Sequence, residues 1–260
     1  MVPQMPRIMT YNVHRCVGTD RQLDVERIAA VIADCRADIV CLQELDVRRA
    51  RTGHVDQAHA IASLLGMNVD FYAAMQVEEE LYGDAILTAL PQRRLKGAAL
   101  PTLGGVPGLE PRGALWLEVS LGQARLQVIN THLGLLPGEQ HRQVKALAGP
   151  KWLGDPRCQD PTILIGDFNF TSVTGPYRHL AQHLRDAQRV AGLDRSVKTF
   201  PSAFPTIRID HCFVSRSITI RHVHAPFHPL ARLASDHLPL VFDFDLTTGE
   251  DRNAGGGLSR

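Results

Sequence analysis

Asp167 and Asn169 stand two positions apart at the end of the apolar run ILIGDFN, in a chain of 260 residues. Side chains at i and i+2 of an extended strand point to the same face. A carboxylate and a carboxamide would therefore project together from one strand end. The carboxylate could accept a proton from water, and the amide could donate to the same nucleophile or to a phosphate oxygen. This pair of residues therefore predicts a catalytic site at the end of the strand.

The same arrangement, an apolar run followed at once by polar residues of ligand type, occurs in five further segments. They carry Asn12 and His14 (RIMTYNVH), Glu44 (DIVCLQE), Asn130 and His132 (LQVINTHL), Asp210 and His211 (RIDHCFV), and Asp236 and His237 (SDHLPLVFDF). One coincidence means little. Six such segments predict one pocket at a shared sheet edge, because buried strand ends do not carry unpaired polar groups without reason.

Oxygen-bearing side chains dominate this set, which favours a hard cation. Mg²⁺ takes one or two carboxylates together with water and substrate phosphate. Glu44 is the natural primary ligand, and Asn12 and Asp236 are of the right type to share the ion. The cysteines and histidines lack the spacing of zinc sites. We therefore predict Mg²⁺, with Mn²⁺ as a possible substitute.

The remaining polar residues fit hydrolysis of a phosphoester, which needs an activated water and neutralisation of charge on the phosphoryl oxygens. His237 would donate to the phosphoryl group. Asp210 would fix the tautomer of His237 and favour its protonated form. His132 offers a second donor.

Bulk properties favour one domain, since the polar residues span positions 12 to 237 and must meet. The 44% hydrophobic content can fill a sizeable core, and a formal net charge of +1 gives no general attraction to nucleic acid, although a local basic patch could exist. Five cysteines without a CxxC pair, the lack of a signal-peptide pattern and the lack of a membrane-length apolar run predict a cytoplasmic protein. We expect one domain over residues 1–246, a disordered Gly-rich tail over 247–260, and no protein partner.

Periodicity predicts the elements that position these residues. Strands are expected at 8–13, 38–42, 68–73, 84–89, 113–120, 124–130, 162–165, 209–214, 218–223 and 238–244, and helices at 23–35, 56–65, 137–147 and 176–184. The strands at 113–120 and 124–130 are expected to form a hairpin. The segment TLGGVPGLEPRG, which precedes them, is a loop at the rim of the site. This mixture predicts layered sheets flanked by helices.

TYNVH, LQELD, GDAILT, NTHL, GDFN, RIDH and SDHLPL occur in this order. Together they resemble the motif set of the endonuclease/exonuclease/phosphatase superfamily, which includes DNase I, abasic-site endonucleases, neutral sphingomyelinases and inositol polyphosphate 5-phosphatases. The resemblance extends over residues 8–244. It implies an α/β, DNase I-like fold, a four-layer sandwich of two packed mixed β-sheets flanked by helices, and Mg²⁺-dependent phosphoesterase activity.

The resemblance also implies roles by position. Asn12, Glu44 and Asp236 match the metal-side residues, Asp167 and Asn169 match the nucleophile pair, and Asp210 matches the carboxylate that orients His237. His132 stands where abasic-site endonucleases have a tyrosine, which tilts the chain toward DNase-like, sphingomyelinase-like or phosphatase branches.

Two departures stand out. Asp46 occupies the position of an arginine in DNase I. The carboxylate that some relatives place beside the equivalent of His132 could be Glu78, Glu79, Glu80 or Asp84.

The leading expectation is a phosphodiesterase or phosphatase that acts by in-line attack of an activated water on a metal-bound phosphate. Its substrate would be a small molecule, a lipid headgroup or a nucleic acid. The alternatives are a DNA or RNA nuclease of the DNase I-like type and a non-catalytic binding protein on the same fold.

Overall fold

The computed structural model describes residues 5–104, 106 and 108–246. The strands are β1 (Arg7–Asn12), β2 (Ile39–Val47), β3 (Asn68–Val77), β4 (Glu80–Thr88), β5 (Gln92–Ala99), β6 (Gly113–Leu121), β7 (Ala124–His132), β8 (Thr162–Asp167), β9 (Arg185–Asp186), β10 (Asp210–Val214), β11 (Ile218–His224) and β12 (Leu240–Leu246). The helices are α1 (Val25–Cys35), α2 (Gln57–Leu65), α3 (Pro137–Ala148), α4 (Gly175–Leu180), α5 (Ala187–Val190) and α6 (Pro229–Ala234), and two 3₁₀ turns span His14–Cys16 and Ala50–Thr52.

The strands form two six-stranded sheets that pack face to face. The first has the order β11-β12-β1-β2-β4-β3, and the second has the order β5-β6-β7-β8-β10-β9. Both are mixed, because β1 pairs in parallel with β2 and β7 pairs in parallel with β8. Helices α1, α2 and α6 cover the outer face of the first sheet, while α3 and α4 cover that of the second. The predicted four-layer sandwich is confirmed.

Strict alternation of apolar side chains builds the layers. In β8, Ile163 and Ile165 pack against the other sheet, whereas Leu164 packs beneath the helices. In β1, Ile8 faces the second sheet and Met9 faces the helices. Full burial of each such side chain contributes about 1.5–3 kcal/mol. The face that a residue occupies at the strand end is therefore fixed by the buried residues two and four positions before it.

Local signals define the helices on the first sheet. The Asp24 side chain accepts a hydrogen bond from the backbone N–H of Arg27 at 2.8 Å, and the Asp56 side chain accepts one from His59 at 3.1 Å. Such N-caps contribute about 1 kcal/mol each. Helix α2 ends at Gly66, as predicted, with the left-handed φ of 64° that glycine tolerates. No helix among the described residues is long and apolar enough to span a membrane.

Several predicted boundaries need correction. Strand β2 does not end at residue 42 but continues to Val47, and the helix predicted at 176–184 stops at Leu180. Strand β5 was not predicted, because its sequence QRRLKGAA is polar and it is an edge strand that pairs only with β6. Strand β9 and helices α5 and α6 were not predicted either, because each is too short to show a periodic pattern of apolar residues. The tail predicted at 247–260 lies outside the described residues.

Candidate active site

Four predicted site residues continue the interior faces of their strands to one end of the sandwich. Asp167 follows Ile163 and Ile165 at the end of β8, and the register pairs it with His132 of β7 and with Asp210 of β10. Asn12 ends β1 and donates its Nδ2 to Oδ2 of Asp167 at 3.0 Å. The two sheets therefore bring these four side chains together as predicted.

Glu44 reaches the same place through a β-bulge. Before the bulge, Leu42 faces the helices, and after it Leu45 does, so the alternation in β2 shifts by one residue. Glu44 sits in the bulge with a left-handed φ of 61°, a conformation in which bulges re-aim a side chain. Its Oε1 accepts from Nδ2 of Asn12 at 2.9 Å. The sequence predicted that Glu44 follows the end of a strand. Glu44 instead lies within β2.

Asn169 is held by a tight turn after β8. Its backbone N–H donates to Oδ1 of Asp167 at 2.9 Å, and its Nδ2 donates to the carbonyl oxygen of Leu133 at 2.9 Å. The turn has a left-handed φ of 53° at Asn169, a residue that tolerates this region. Gly166 is required just before it, because a Cβ there would lie 1.9 Å from the carbonyl oxygen of Thr131.

His237 lies between two carboxylates. Its Nδ1 donates to Oδ2 of Asp210 at 2.9 Å, and its Nε2 lies 3.6 Å from Oδ2 of Asp167. The hydroxyl of Thr199 also donates to Asp210 and fixes that carboxylate. Burial alone would lower the pKa of His237, but the charges of Asp210 and Asp167 outweigh burial and raise it to about 10. His237 is therefore an imidazolium at neutral pH, as the Asp210 pairing predicted.

Asp167 is 1% exposed and is the centre of this cluster. Burial raises its pKa to about 7, and the charge of Asp210 adds to the rise, while His237 and the hydrogen bonds from Asn12 and Asn169 act in the opposite direction. A carboxylate with a pKa near neutrality can accept a proton from water and release it again.

His132 also lies near carboxylates, since its Nε2 is 3.7 Å from Oδ2 of Asp167 and 4.0 Å from Oε1 of Glu44, but its other ring nitrogen faces a cation. Nη1 of Arg112 lies 2.9 Å from its Nδ1, and Nδ2 of Asn169 lies 3.1 Å from its Nε2. Burial, followed by the charges of Arg112 and His237, lowers the pKa of His132 well below its usual value. His132 is therefore neutral.

Among the described residues a guanidinium, rather than a carboxylate, contacts Nδ1 of His132. Of the four acidic residues that the sequence left open, Glu78 and Glu79 are exposed and Glu80 pairs with Arg49. Glu80 begins β4. Asp84 is buried close to Arg112, and burial raises its pKa to about 8. It is thus the one of the four that is buried and interacts with Arg112, the group that touches His132.

Six of the predicted site residues line a pocket of about 420 Å³, namely Glu44, His132, Asp167, Asn169, Asp236 and His237, whereas Asn12 and Asp210 lie behind them. The pocket is also lined by residues that the sequence analysis did not single out as functional, namely Arg15, Arg51, Tyr82, Arg112, Leu135, Phe200 and Ile209. Glu110 and Arg112 come from the segment predicted to be a rim loop, which confirms that prediction. The arginines carry no signal in the sequence, because isolated basic residues in turns usually face solvent.

Glu44 and Asp236 both line the pocket, and carboxylate oxygens are the ligands that a hard cation prefers. One oxygen of Glu44 is engaged by Asn12, and one oxygen of Asp236 lies 3.3 Å from the Ser235 hydroxyl. Within the described part of the chain, the second oxygen of each carboxylate has no hydrogen bond. Oδ1 of Asn12 accepts from the N–H of His14 at 3.0 Å, so Asn12 links its neighbours to the turn that follows β1. Its role as a metal ligand stays a prediction, as do those of Glu44 and Asp236.

Known proteins share the sequence pattern and the fold of this chain. The model of the Endonuclease/Exonuclease/phosphatase family matches residues 9–237, and the chain belongs to this family, whose members are hydrolases that act on phosphoesters. The chain is 27% identical to the uncharacterized protein YbhP of Escherichia coli strain K12 over 259 residues, which covers 92% of this chain and 96% of that protein.

Solved structures share the fold. An endonuclease/exonuclease/phosphatase from Beutenbergia cavernae superimposes with a TM-score of 0.73 and 24% identity over 93% of this chain and 71% of that one. A mannosyl-6-phosphatase from Bacteroides thetaiotaomicron superimposes with a TM-score of 0.72 and 19% identity over 93% of this chain and 100% of that one.

Proposed function

We propose that this protein is a cytoplasmic, Mg²⁺-dependent hydrolase of phosphoesters, either a phosphodiesterase or a phosphatase. The observation that carries the proposal is the position of His237, which is charged, buried and held between Asp210 and Asp167 at the edge of the pocket. A fixed cation beside a buried base is the arrangement that phosphoryl transfer to water requires.

In the proposed reaction, Asp167 accepts a proton from the attacking water while the water oxygen forms a bond to phosphorus. The bond from phosphorus to the leaving oxygen breaks on the opposite side, that oxygen takes up a proton from solvent water, and Asp167 later returns its proton to solvent. His237 donates a hydrogen bond to a phosphoryl oxygen and stabilises the negative charge that develops there. Asn169 orients Asp167 through its backbone N–H.

Glu44 and Asp236 would hold the Mg²⁺ ion, with Asn12 beside them, and Mn²⁺ is the expected substitute. When bound, the ion neutralises negative charge on the phosphoryl group. Removal of divalent cations with EDTA is therefore expected to abolish hydrolysis, and added Mg²⁺ or Mn²⁺ is expected to restore it. Activity that survives EDTA would contradict this part of the proposal.

The decisive experiment is a screen with the purified protein in Mg²⁺ or Mn²⁺. The panel comprises bis-p-nitrophenyl phosphate, sugar phosphates including mannose 6-phosphate, phospholipid headgroup esters, and plasmid and single-stranded DNA. Asp167→Asn is the matched control, because it keeps the shape of the side chain and removes the base. Activity on small phosphoesters that Asp167→Asn abolishes supports the proposal.

Two other outcomes would replace the proposal. Cleavage of DNA with a steep loss as salt rises would assign the chain to the nucleases. Metal binding without hydrolysis of any phosphoester in the panel would indicate a binding protein, and full activity in Asp167→Asn would rule out the proposed base.

A further inference from the structure

Two arginines line the pocket from the side of the first sheet. Arg15 lies in the 3₁₀ turn after β1, and Arg51 lies in the 3₁₀ turn after β2. Asp167, Asn169 and His132, which face the reacting phosphate in the proposed function, come from β7, β8 and the turn after β8. The two guanidinium groups thus reach the same pocket from other elements than these three residues.

The turn that presents Arg15 is conformationally costly. His14, Arg15 and Cys16 have left-handed φ values of 45°, 56° and 57°, and this region costs about 1–2 kcal/mol for each residue that is not glycine. Backbone strain of this kind persists where the surroundings over-determine it, and it clusters at functional sites.

Side-chain contacts hold Arg15 in place. His14 donates its Nδ1–H to the carbonyl oxygen of Val17 at 3.1 Å, so its Nε2 is free to accept from Nη2 of Arg15 at 2.6 Å. The Nε of Arg15 is buried, and among the described residues it has no hydrogen-bond partner. A buried donor without a partner is costly, and an anionic group in the pocket would offer it one.

Arg51 is held by a fully buried carboxylate. Its Nε and Nη2 donate to the two oxygens of Asp46 at 2.7 Å each, and its guanidinium lies 5.5 Å from the ring centre of Tyr82. This bidentate pairing fixes the plane of the group and leaves Nη1 without a hydrogen bond within the described part of the chain. Asp46, which replaces the arginine of DNase I, therefore brings a different arginine to the pocket.

Gln57 of α2 connects the two arginine segments. It is fully buried; its Nε2 donates to the carbonyl oxygen of Arg15 at 2.6 Å, and its Oε1 accepts from the backbone N–H of Asp46 at 2.9 Å. A buried amide that makes both hydrogen bonds fixes the spacing between the two segments. Gln57 is thus a positioning residue for Arg15 and for the carboxylate that holds Arg51.

We propose that Arg15 and Arg51 bind a second phosphate group of the substrate, and that Gln57 sets their positions. The inference rests on the proposed function, because it assigns the class of phosphoester that this pocket takes. Guanidinium groups donate in a planar fork that matches phosphate oxygens. The favoured substrate is therefore a phosphoester with a further phosphate near the scissile one.

The test compares two substrates that differ by one phosphate: the 5′-(p-nitrophenyl phosphate) of thymidine and the same compound with a 3′-phosphate. The wild-type protein is expected to show a kcat/KM at least about ten times higher for the second compound, since a hydrogen bond to a charged group contributes about 1.5–3 kcal/mol. Arg15→Gln and the double variant Asp46→Asn/Arg51→Gln are each expected to reduce this preference about tenfold. The double variant avoids leaving a buried carboxylate unpaired.

Arg48→Gln is the matched control, because Arg48 is an exposed arginine of the same segment that does not line the pocket. It is expected to keep the preference of the wild type. Gln57→Met keeps the volume of the side chain and is expected to raise KM for the 3′-phosphorylated compound more than for the other, with a smaller change in kcat. A merely structural role would lower kcat/KM for both substrates alike.

Calorimetry separates failure of this inference from failure of the proposed function. If the wild type hydrolyses neither compound, binding of thymidine 3′,5′-bisphosphate is compared with binding of thymidine 5′-phosphate. Tighter binding of the bisphosphate that Asp46→Asn/Arg51→Gln abolishes supports the second phosphate site. No preference of the wild type in either assay, or equal losses on both substrates in the arginine variants, would overturn it.

Discussion

The two histidines of the pocket, His237 and His132, both lie close to Asp167 through Nε2, but Nδ1 of His237 contacts a carboxylate and Nδ1 of His132 contacts a guanidinium. Both are almost fully buried, at 4% and 2% exposure, so burial lowers the pKa of each and cannot explain their difference. Carboxylates surround His237 and raise its pKa to about 10, whereas a guanidinium touches His132 and holds its pKa well below the usual value. The sign of the neighbouring charge therefore decides the protonation state.

This contrast has a chemical consequence. The imidazolium of His237 supplies a positive charge for a phosphoryl oxygen at neutral pH, and the neutral imidazole of His132 adds none. The proposed mechanism consequently depends more on His237 than on His132.

The largest expected effect comes from removing the charged histidine. His237→Gln is expected to lower kcat about 10²- to 10⁴-fold, and His132→Gln is expected to lower it less, because a neutral ring supplies only a hydrogen bond. Steady-state kinetics on bis-p-nitrophenyl phosphate measures both, with thermal unfolding as the check that each variant folds. A greater loss in His132→Gln would reverse the comparison.

The next effect concerns pH. The pKa of His237 is raised above its unfolded value, so the protonated form is present below the folded pKa and is lost as the pH rises through about 10. Activity is therefore expected to fall on the alkaline side. Asp210→Asn removes a carboxylate that raises this pKa and is expected to move the alkaline limb to lower pH. An unchanged limb would show that another group titrates there.

Arg112→Gln tests the other side of the pocket. It removes the cation that contacts His132, so the pKa of His132 is expected to rise, as measured by NMR titration of the imidazole. Arg112 also pairs with Glu110 at 3.0 Å, and the loss of charge-assisted hydrogen bonds is expected to lower the free energy of unfolding by about 1.5–3 kcal/mol. A pKa of His132 that does not move would assign its depression to burial and the charge of His237.

The smallest effect is expected from Glu110→Gln. Glu110 is 45% exposed, and an ion pair so open to solvent contributes less than about 1 kcal/mol. The substitution leaves Arg112 less compensated and is expected to lower the pKa of His132 slightly further. Chemical denaturation and the same NMR titration measure the two changes, and a rise in that pKa would contradict this picture of the charges.

Much of the fold was predictable because alternation in the strands is a local property. The buried positions Ile163 and Ile165 fix the face of Asp167, and the same rule carries Asn12, His132 and Asp210 to the interior of the sandwich. Strand β5 was not predicted because its sequence is largely polar and shows no alternation of apolar residues, as an edge strand allows. Glu44 was predicted as a site residue, but the bulge that turns it was not, since a bulge leaves no mark in apolar periodicity.

The sequence by itself determined the layered fold and the set of oxygen and imidazole groups at its strand ends, because both follow from which residues are apolar and how they alternate. Only the tertiary structure decided the charge on His237 and His132, since Asp210 and Arg112 approach them from distant parts of the chain. It also decided that Arg15 and Arg51 face the pocket, because a left-handed turn, the buried carboxylate of Asp46 and the buried amide of Gln57 place them there. The charges of the histidines and the positions of the arginines depend on contacts between distant segments, and the spacing of apolar residues in the sequence does not reveal such contacts.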